Sequence, residues 1–193
     1  IHDEHKFVVS VDVSPKLYWS EKNGNFSPEQ YRSKSYALGD YDSESNSSRL
    51  NSPEFPAAYY CHTYNRGGRS WYLPSIGELL LICKWMGAIQ TALKIIGGDC
   101  FRLDDFNDCY YWSSTEMDYK SAGIVNLSYE LSGVVEKTLT KAKVRPFSKF
   151  SFDEIKESFT KKTVSKKTAQ NILKRADGFL YQIGDVFSKK VKN

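Results

Sequence analysis

The stretch RSWYLPSIGELLLICKWMGAIQTAL, residues 69–93, constrains the fold most, because its residue pattern changes period partway through. Trp71 and Tyr72 are aromatic types that favour extended chain. Leu73 precedes Pro74, whose ring disfavours helix in the residue before it. Ser75 stands three places ahead of Glu78, the spacing of a capping box, in which serine and glutamate satisfy orphan amides at a helix start. Leu79, Leu80, Ile82, Cys83, Met86 and Ile89 then recur at helical intervals over a wide face, which predicts one buried helix. Helix-entry chemistry accounts for the break at Pro74, and no catalytic role is required of it.

Around this corner the chain reads as short elements. KFVVSVDVSPKLYWS alternates Phe7, Val9, Val11 and Val13 before Pro15, a strand, with KLYWS a second short one. Residues 22–55 are rich in Ser, Asn, Asp, Glu and Gly and predict a long irregular excursion, a length that tends to be functional. Pro56 suits the first turn of a helix running from Ala57 to Tyr64, and Gly67–Gly68 ends it. Near the end, GIVNLSYEL, SGVVEKTLT and AKVRPFSKF predict three strands, antiparallel because the links are short. The expected class is α+β, with short antiparallel strands and two helices.

Charge divides the chain. Residues 151–193 hold ten Lys and Arg against five Asp and Glu, which leaves 17 against 18 in residues 1–150. The tail has no proline, and Ile172, Leu173, Ala176, Phe179, Leu180, Ile183 and Phe187 form an apolar stripe. Ser151 and Glu154 fit a capping box. We therefore expect a domain over 1–150 and a basic helical extension over 151–193. The paired lysines lack the arginines and interleaved aromatics of a nucleic-acid reader, so no nucleic-acid partner is expected. No apolar run reaches the roughly 20 residues of a membrane span. The opening IHDEHKFVVS lacks both the basic region and the apolar stretch of an export signal and has no initiator Met, which leaves room for a removed leader.

The residues that carry chemistry are few. His2, His5 and His62 have no zinc spacing, and GGRS and IIGGDC are not phosphate loops. Four cysteines, Cys61, Cys83, Cys100 and Cys109, permit three pairings of two bridges and contain no Cys-x-x-Cys. Cys100 and Cys109 flank a polar loop and could close it, whereas Cys83 reads as a buried thiol. In that loop Asp104, Asp105, Asn107 and Asp108 are hard oxygen donors of the kind calcium takes, although EF-hand spacing is absent. No cofactor is called for, calcium being the one ion the loop could hold. The expectation is a protein that is not an enzyme.

In order, AAYYCHTY, WYLPSIGELLLI, YYWSSTE, a hairpin and VRPF resemble a bacterial lectin-like domain family, long labelled a domain of unknown function. It is typified by the C-terminal domain of the Legionella collagen-like adhesin. The resemblance covers roughly residues 6–148, and the tail has no counterpart in it. It implies a C-type lectin-like fold, related to formylglycine-generating enzymes and to the variable proteins of diversity-generating retroelements. Trp71 and Leu73 would then end a strand and plug the core, and Trp112 would anchor the strand before Ser113 and Ser114. Glu116 would sit where the chain turns out into ligand-facing loops. Val144 and Phe147 would form a last strand near the N-terminal one.

The function this implies is non-catalytic, adhesin-like binding of a glycan, glycosaminoglycan or protein by a secreted or cell-surface module. The ligand face would comprise the 22–55 excursion with Tyr110, Trp112, Glu116, Tyr119 and Lys120, continuing onto outward-facing Asn126, Ser128 and Glu130. Aromatic rings would stack on the ligand while polar groups set its orientation. The alternative is an assembly module of a phage tail or surface filament. The oligomeric state stays open.

Overall fold

The computed structural model describes residues 7–26, 33–105 and 108–150. The chain divides into two units, Ile1–Lys149 and Phe150–Asn193, and the first is the one described below. The expected helical extension and its apolar stripe lie outside the described residues.

The unit is α+β, with short antiparallel strands in three small sheets. Strand β1 (Phe7–Val9) pairs with β7 (Phe147–Lys149), with Val9 opposite Phe147, so the two ends of the domain close on each other. On the other side of Phe147 lies Tyr72, in an antiparallel bridge. Strand β2 (Leu17–Tyr18) pairs with β6 (Lys141–Ala142). The third sheet has the order β3 (Tyr110–Glu116), β4 (Ser121–Asn126), β5 (Leu131–Glu136). A register shift between Trp112 and Glu116 marks an irregularity in β3.

Five helices are described rather than the two expected. Two of them, α1 (Lys34–Ala37) and α2 (Ser43–Ser48), lie in the polar excursion. Their serines hid them, since Ser is a mediocre helix former in isolation. Helix α3 (Pro56–Thr63) follows, with Pro56 in its first turn as expected. The single helix expected after Pro74 is instead two, α4 (Ile76–Cys83) and α5 (Met86–Ile96), bent by 84° about Lys84 and Trp85. The bend redirects α5, whose C-terminal Gly97, left-handed at φ 70°, leads Asp99 N–H to the Val11 carbonyl at 2.7 Å.

Two buried clusters form the core. One joins Tyr72, Ile76, Leu79, Ile82, Tyr111, Val125 and Phe147, with Phe7 stacked on Phe147 at 4.7 Å. The other joins Trp19, Leu50, Phe55, Leu73, Trp112, Ile124 and Val144. Two indoles are pinned by backbone: Trp19 Nε1 donates to the Ser113 carbonyl and Trp112 Nε1 to the Leu17 carbonyl, both at 2.8 Å. These bonds satisfy the polar end of each large ring inside the core. They also tie β2 and its flank to β3 across 94 and 95 residues of chain.

Candidate functional site

The Pro-Ser-x-Gly-Glu corner is a dock for the polar excursion. Only half of the capping box forms: Glu78 N–H donates to Ser75 Oγ at 3.4 Å. The return bond is replaced, because Ser75 N–H donates to Ser43 Oγ at 2.6 Å. Ser43 Oγ in turn donates to the Glu78 carboxylate, which also accepts from Tyr72 OH. Ser75 Oγ and Gly77 N–H both donate to the Asp40 carbonyl, at 2.7 and 3.1 Å. A Cβ on Gly77 would lie 2.4 Å from that same oxygen, so residue 77 must be glycine for Asp40 to approach. The Asp40 side chain is buried and accepts from Thr115 Oγ1 at 2.6 Å and Asn46 Nδ2 at 2.8 Å. Residues 40–50 are therefore clamped onto α4 and β3, not held out as a free ligand loop.

Burial drives the Glu78 carboxyl up to about 7, against the lowering effect of the Ser43 hydroxyl, the nearby Ser75 backbone amide and the Tyr72 hydroxyl. The neighbouring Asp40 charge pushes it the same way as burial. The sequence did carry a signal for this dock. DYDSES has the Asp and Ser content of a helix entry, with Glu44 in the first turn of α2.

The residues expected to form one ligand face fall into two groups and a buried remainder. Tyr110 pairs with Asn126 at one end of the β3–β4 hairpin, and Glu116 pairs with Ala122 near the other. Seven residues of strand put those ends about 20 Å apart. Tyr119 and Lys120 are exposed at the Glu116 end. Half-buried Ser128 and exposed Glu130 lie at the Tyr110 end. Trp112 is wholly buried and packs the core instead of facing a ligand. Asn126, expected outward, is also buried: its Oδ1 accepts from the Ser128 and Tyr129 amides and shapes the turn before β5.

Glu116 is fully buried as well. It accepts from Phe26 N–H at 2.9 Å and forms an ion pair with Lys137, also fully buried. Lys137 Nζ donates further to the Gly24 carbonyl at 2.8 Å and the Asp118 carbonyl at 2.7 Å. Burial pulls the Lys137 amine below the usual lysine range, against the hydrogen bond and charge of Glu116. No local pattern in EKTLT distinguishes Lys137 from a surface lysine.

At the Tyr110 end the acidic loop builds a groove of about 530 Å³. Asp99, Arg102, Asp104, Asp108 and Lys143 line it, over a floor that includes buried Phe101. Lys143 is placed by backbone, donating its N–H to the Tyr110 carbonyl at 3.1 Å, so the groove abuts Tyr110. Ser128 Oγ donates to the Leu103 carbonyl at 2.5 Å and brings the β4–β5 turn to the same end. Beneath, Arg145 lies 4.3 Å over the Phe101 ring and donates to the Ser10 and Asp99 carbonyls, fixing the loop's base.

Among the described residues the calcium donors Asp104, Asp105 and Asp108 are not gathered around one point. Asp108 is paired with Lys143 at 2.9 Å and Lys16 at 3.1 Å, and these bonds hold its carboxyl below the usual range. Asp104 and Asp105 are exposed, and Asn107 lies outside the described residues. Among the described residues no three His, Cys, Asp or Glu groups converge as metal ligands.

The bridge that Cys100 and Cys109 could make across the loop is not formed, and no disulfide joins any of the four cysteines. Burial raises the Cys61 thiol well above its ordinary value and takes Cys83 to about 11. Both are thiols, not thiolates, at neutral pH. His62, in α3, places Nε2 2.8 Å from the Ser47 carbonyl and so braces α2.

No family model matches this chain, and no curated protein matches it. Among solved structures it is similar in fold to a fimbrial protein from Bacteroides ovatus ATCC 8483, with a TM-score of 0.55 and 20% identity. The match covers 75% of this chain and 35% of that protein, so the chain spans about a third of its neighbour's length. At that identity the likeness concerns the fold.

Proposed function

We propose that this chain is a non-catalytic recognition module of C-type lectin-like fold, displayed at the cell surface or secreted, and that it binds a glycan in the groove beside Tyr110. The observation that carries this reading is the groove's composition. Asp99, Asp104 and Asp108 face Arg102, Lys143 and the nearby Lys16, three charges of each sign. A balanced set of donors and acceptors suits a neutral, hydroxyl-rich ligand better than a polyanionic glycosaminoglycan, which would need a surplus of cations. Tyr110 adjoins the groove through its carbonyl, which accepts from Lys143 N–H, while its ring packs against the second core cluster. His62 is engaged in bracing α2 and Cys61 lies in the core, while Cys100 is a half-buried free thiol on the groove wall.

The test is an array of neutral glycans, glycosaminoglycans and surface proteins probed with the folded chain. Asp104→Ala with Lys143→Ala should abolish binding, and Tyr119→Ala with Lys120→Ala, at the far end of the hairpin, should leave it intact. Loss of binding from the second pair alone, or silence of the array with intact protein, removes the groove as the site.

A second reading, an assembly module of a surface filament, has its own support. Strand β5 is an edge strand among the described residues, and Leu131, Val134 and Leu139 along it and just beyond are exposed. An apolar open edge is the feature that monomeric proteins ordinarily blunt. The fold neighbour is itself a fimbrial protein. Light scattering over a concentration series tests this reading: association that Val134→Lys reverses supports it, and a monomer at every concentration rejects it.

A further inference from the structure

Lys137 Nζ sits inside a shell of oxygens and rings that has the make-up of a ligand site. Its Nζ donates to three partners, the Gly24 carbonyl, the Asp118 carbonyl and the Glu116 carboxylate, with the Tyr119 carbonyl a fourth oxygen at 3.4 Å. Trp19 and Phe26 present their rings 5.0 and 5.3 Å from the same nitrogen. Both charged side chains are fully buried. The oxygens come from three separate segments: the loop after β2, the β3–β4 turn and the end of β3. Each is held in place independently of the lysine. Gly24 N–H donates to the Tyr119 carbonyl at 2.8 Å, and Phe26 N–H donates to Glu116. Asp118 Oδ1 accepts from the Lys120 and Ser121 amides and so fixes the turn that presents the Asp118 and Tyr119 carbonyls.

We propose that these segments form a primary-ammonium site that the chain fills with its own lysine, and that shortening residue 137 opens it to a free alkylammonium ion. The chemistry selects this ligand over a metal. Glu116 supplies one formal negative charge, which balances a single positive one. Calcium would want six to eight oxygens, more than the four found here. The two aromatic faces favour an organic cation, which gains from the ring quadrupole and from burying its alkyl stem. Lys137→Ala removes the atoms beyond Cβ, and propylammonium is the ion that restores them. The inference stands apart from the groove reading, because the site lies at the opposite end of the β3–β4 hairpin from Tyr110.

The test is thermal unfolding of the full chain bearing Lys137→Ala, with and without propylammonium. The variant should melt about 10 °C below the parent, since it leaves a buried carboxylate without its cation. Saturating propylammonium should recover most of that loss, with neutral propanol and calcium recovering little. Adding Glu116→Gln should abolish the recovery. If Lys137→Ala does not fold alone, refolding in propylammonium is the readout, and it should restore the native circular dichroism that propanol does not. Absence of any recovery overturns the inference. Equal recovery by propanol reduces the site to a cavity, and stronger recovery by calcium makes it a metal site, so both also overturn it.

Discussion

Glu78 makes the stability of this domain depend on pH across the neutral range, in the direction opposite to most acidic groups. Its carboxyl is buried, and burial raises it from 4.5 to about 7 in the fold. The hydroxyls of Ser43 and Tyr72 donate to it, and Asp40 adds a like charge nearby. Lys149 is the cation on that side, and it forms its ion pair with Glu44 at 2.5 Å.

A raised carboxyl means that the folded state holds the proton more tightly than the unfolded chain. The stabilisation is therefore fully present below the unfolded value near 4.5 and is lost as pH rises through about 7. The shift corresponds to about 3 kcal/mol between those limits. For a domain of this size that is a fall in Tm of about 10 °C. The assay is thermal unfolding by circular dichroism at half-unit steps from pH 4.5 to 8.5, for the parent and for Glu78→Gln. The amide stays neutral, so the variant should lose most of the slope and should melt above the parent at pH 8. A parent Tm that rises with pH over this window would refute the reasoning. So would a slope that survives in Glu78→Gln.

Other expectations follow from the same geometry. Gly77→Ala should destabilise by about 2–3 kcal/mol in urea unfolding, because its Cβ would meet the Asp40 carbonyl at 2.4 Å and must push residues 40–47 off α4. Leu79→Ala, wholly buried in the first cluster, should cost about 2–5 kcal/mol in the same assay. Lys143→Met should raise the Asp108 carboxyl toward its ordinary value, read by NMR titration, since Lys143 is the first cause of its depression. Thiol labelling of the native chain should find Cys61 inert until unfolding, because it is fully buried with its thiol raised.

Much of the fold was legible because local rules acted alone. Pro74 and Ser75 marked the start of α4, Pro56 marked the start of α3, and the alternation from Phe7 to Val13 marked β1, although the strand ends at Val9. The errors share a cause. Ser75-x-x-Glu78 was read as a closed local pair, but the glutamate turned to Ser43, a partner 35 residues away. Helix α2 was hidden because its serines gain their stability from tertiary bonds, such as Ser47 Oγ to the Leu73 carbonyl. The bend at Lys84–Trp85 was invisible because the apolar spacing stays helical straight through it.

The site divides the same way. The sequence offered the acidic loop and Tyr110 as parts of separate sets, a calcium loop and a ligand face, whereas the fold sets Asp104 and Asp108 in a groove whose Lys143 is bonded to the Tyr110 carbonyl. That Glu116 would face inward was not readable. Side-chain direction along an irregular strand depends on register, and the register shifts between Trp112 and Glu116. By itself the sequence determined where α3 and α4 began and that β1 starts at Phe7, because propensity, proline and capping are local. Only the tertiary structure decided which polar groups were buried. A buried charge persists where distant segments supply its partners, as Gly24, Glu116 and Asp118 do for Lys137.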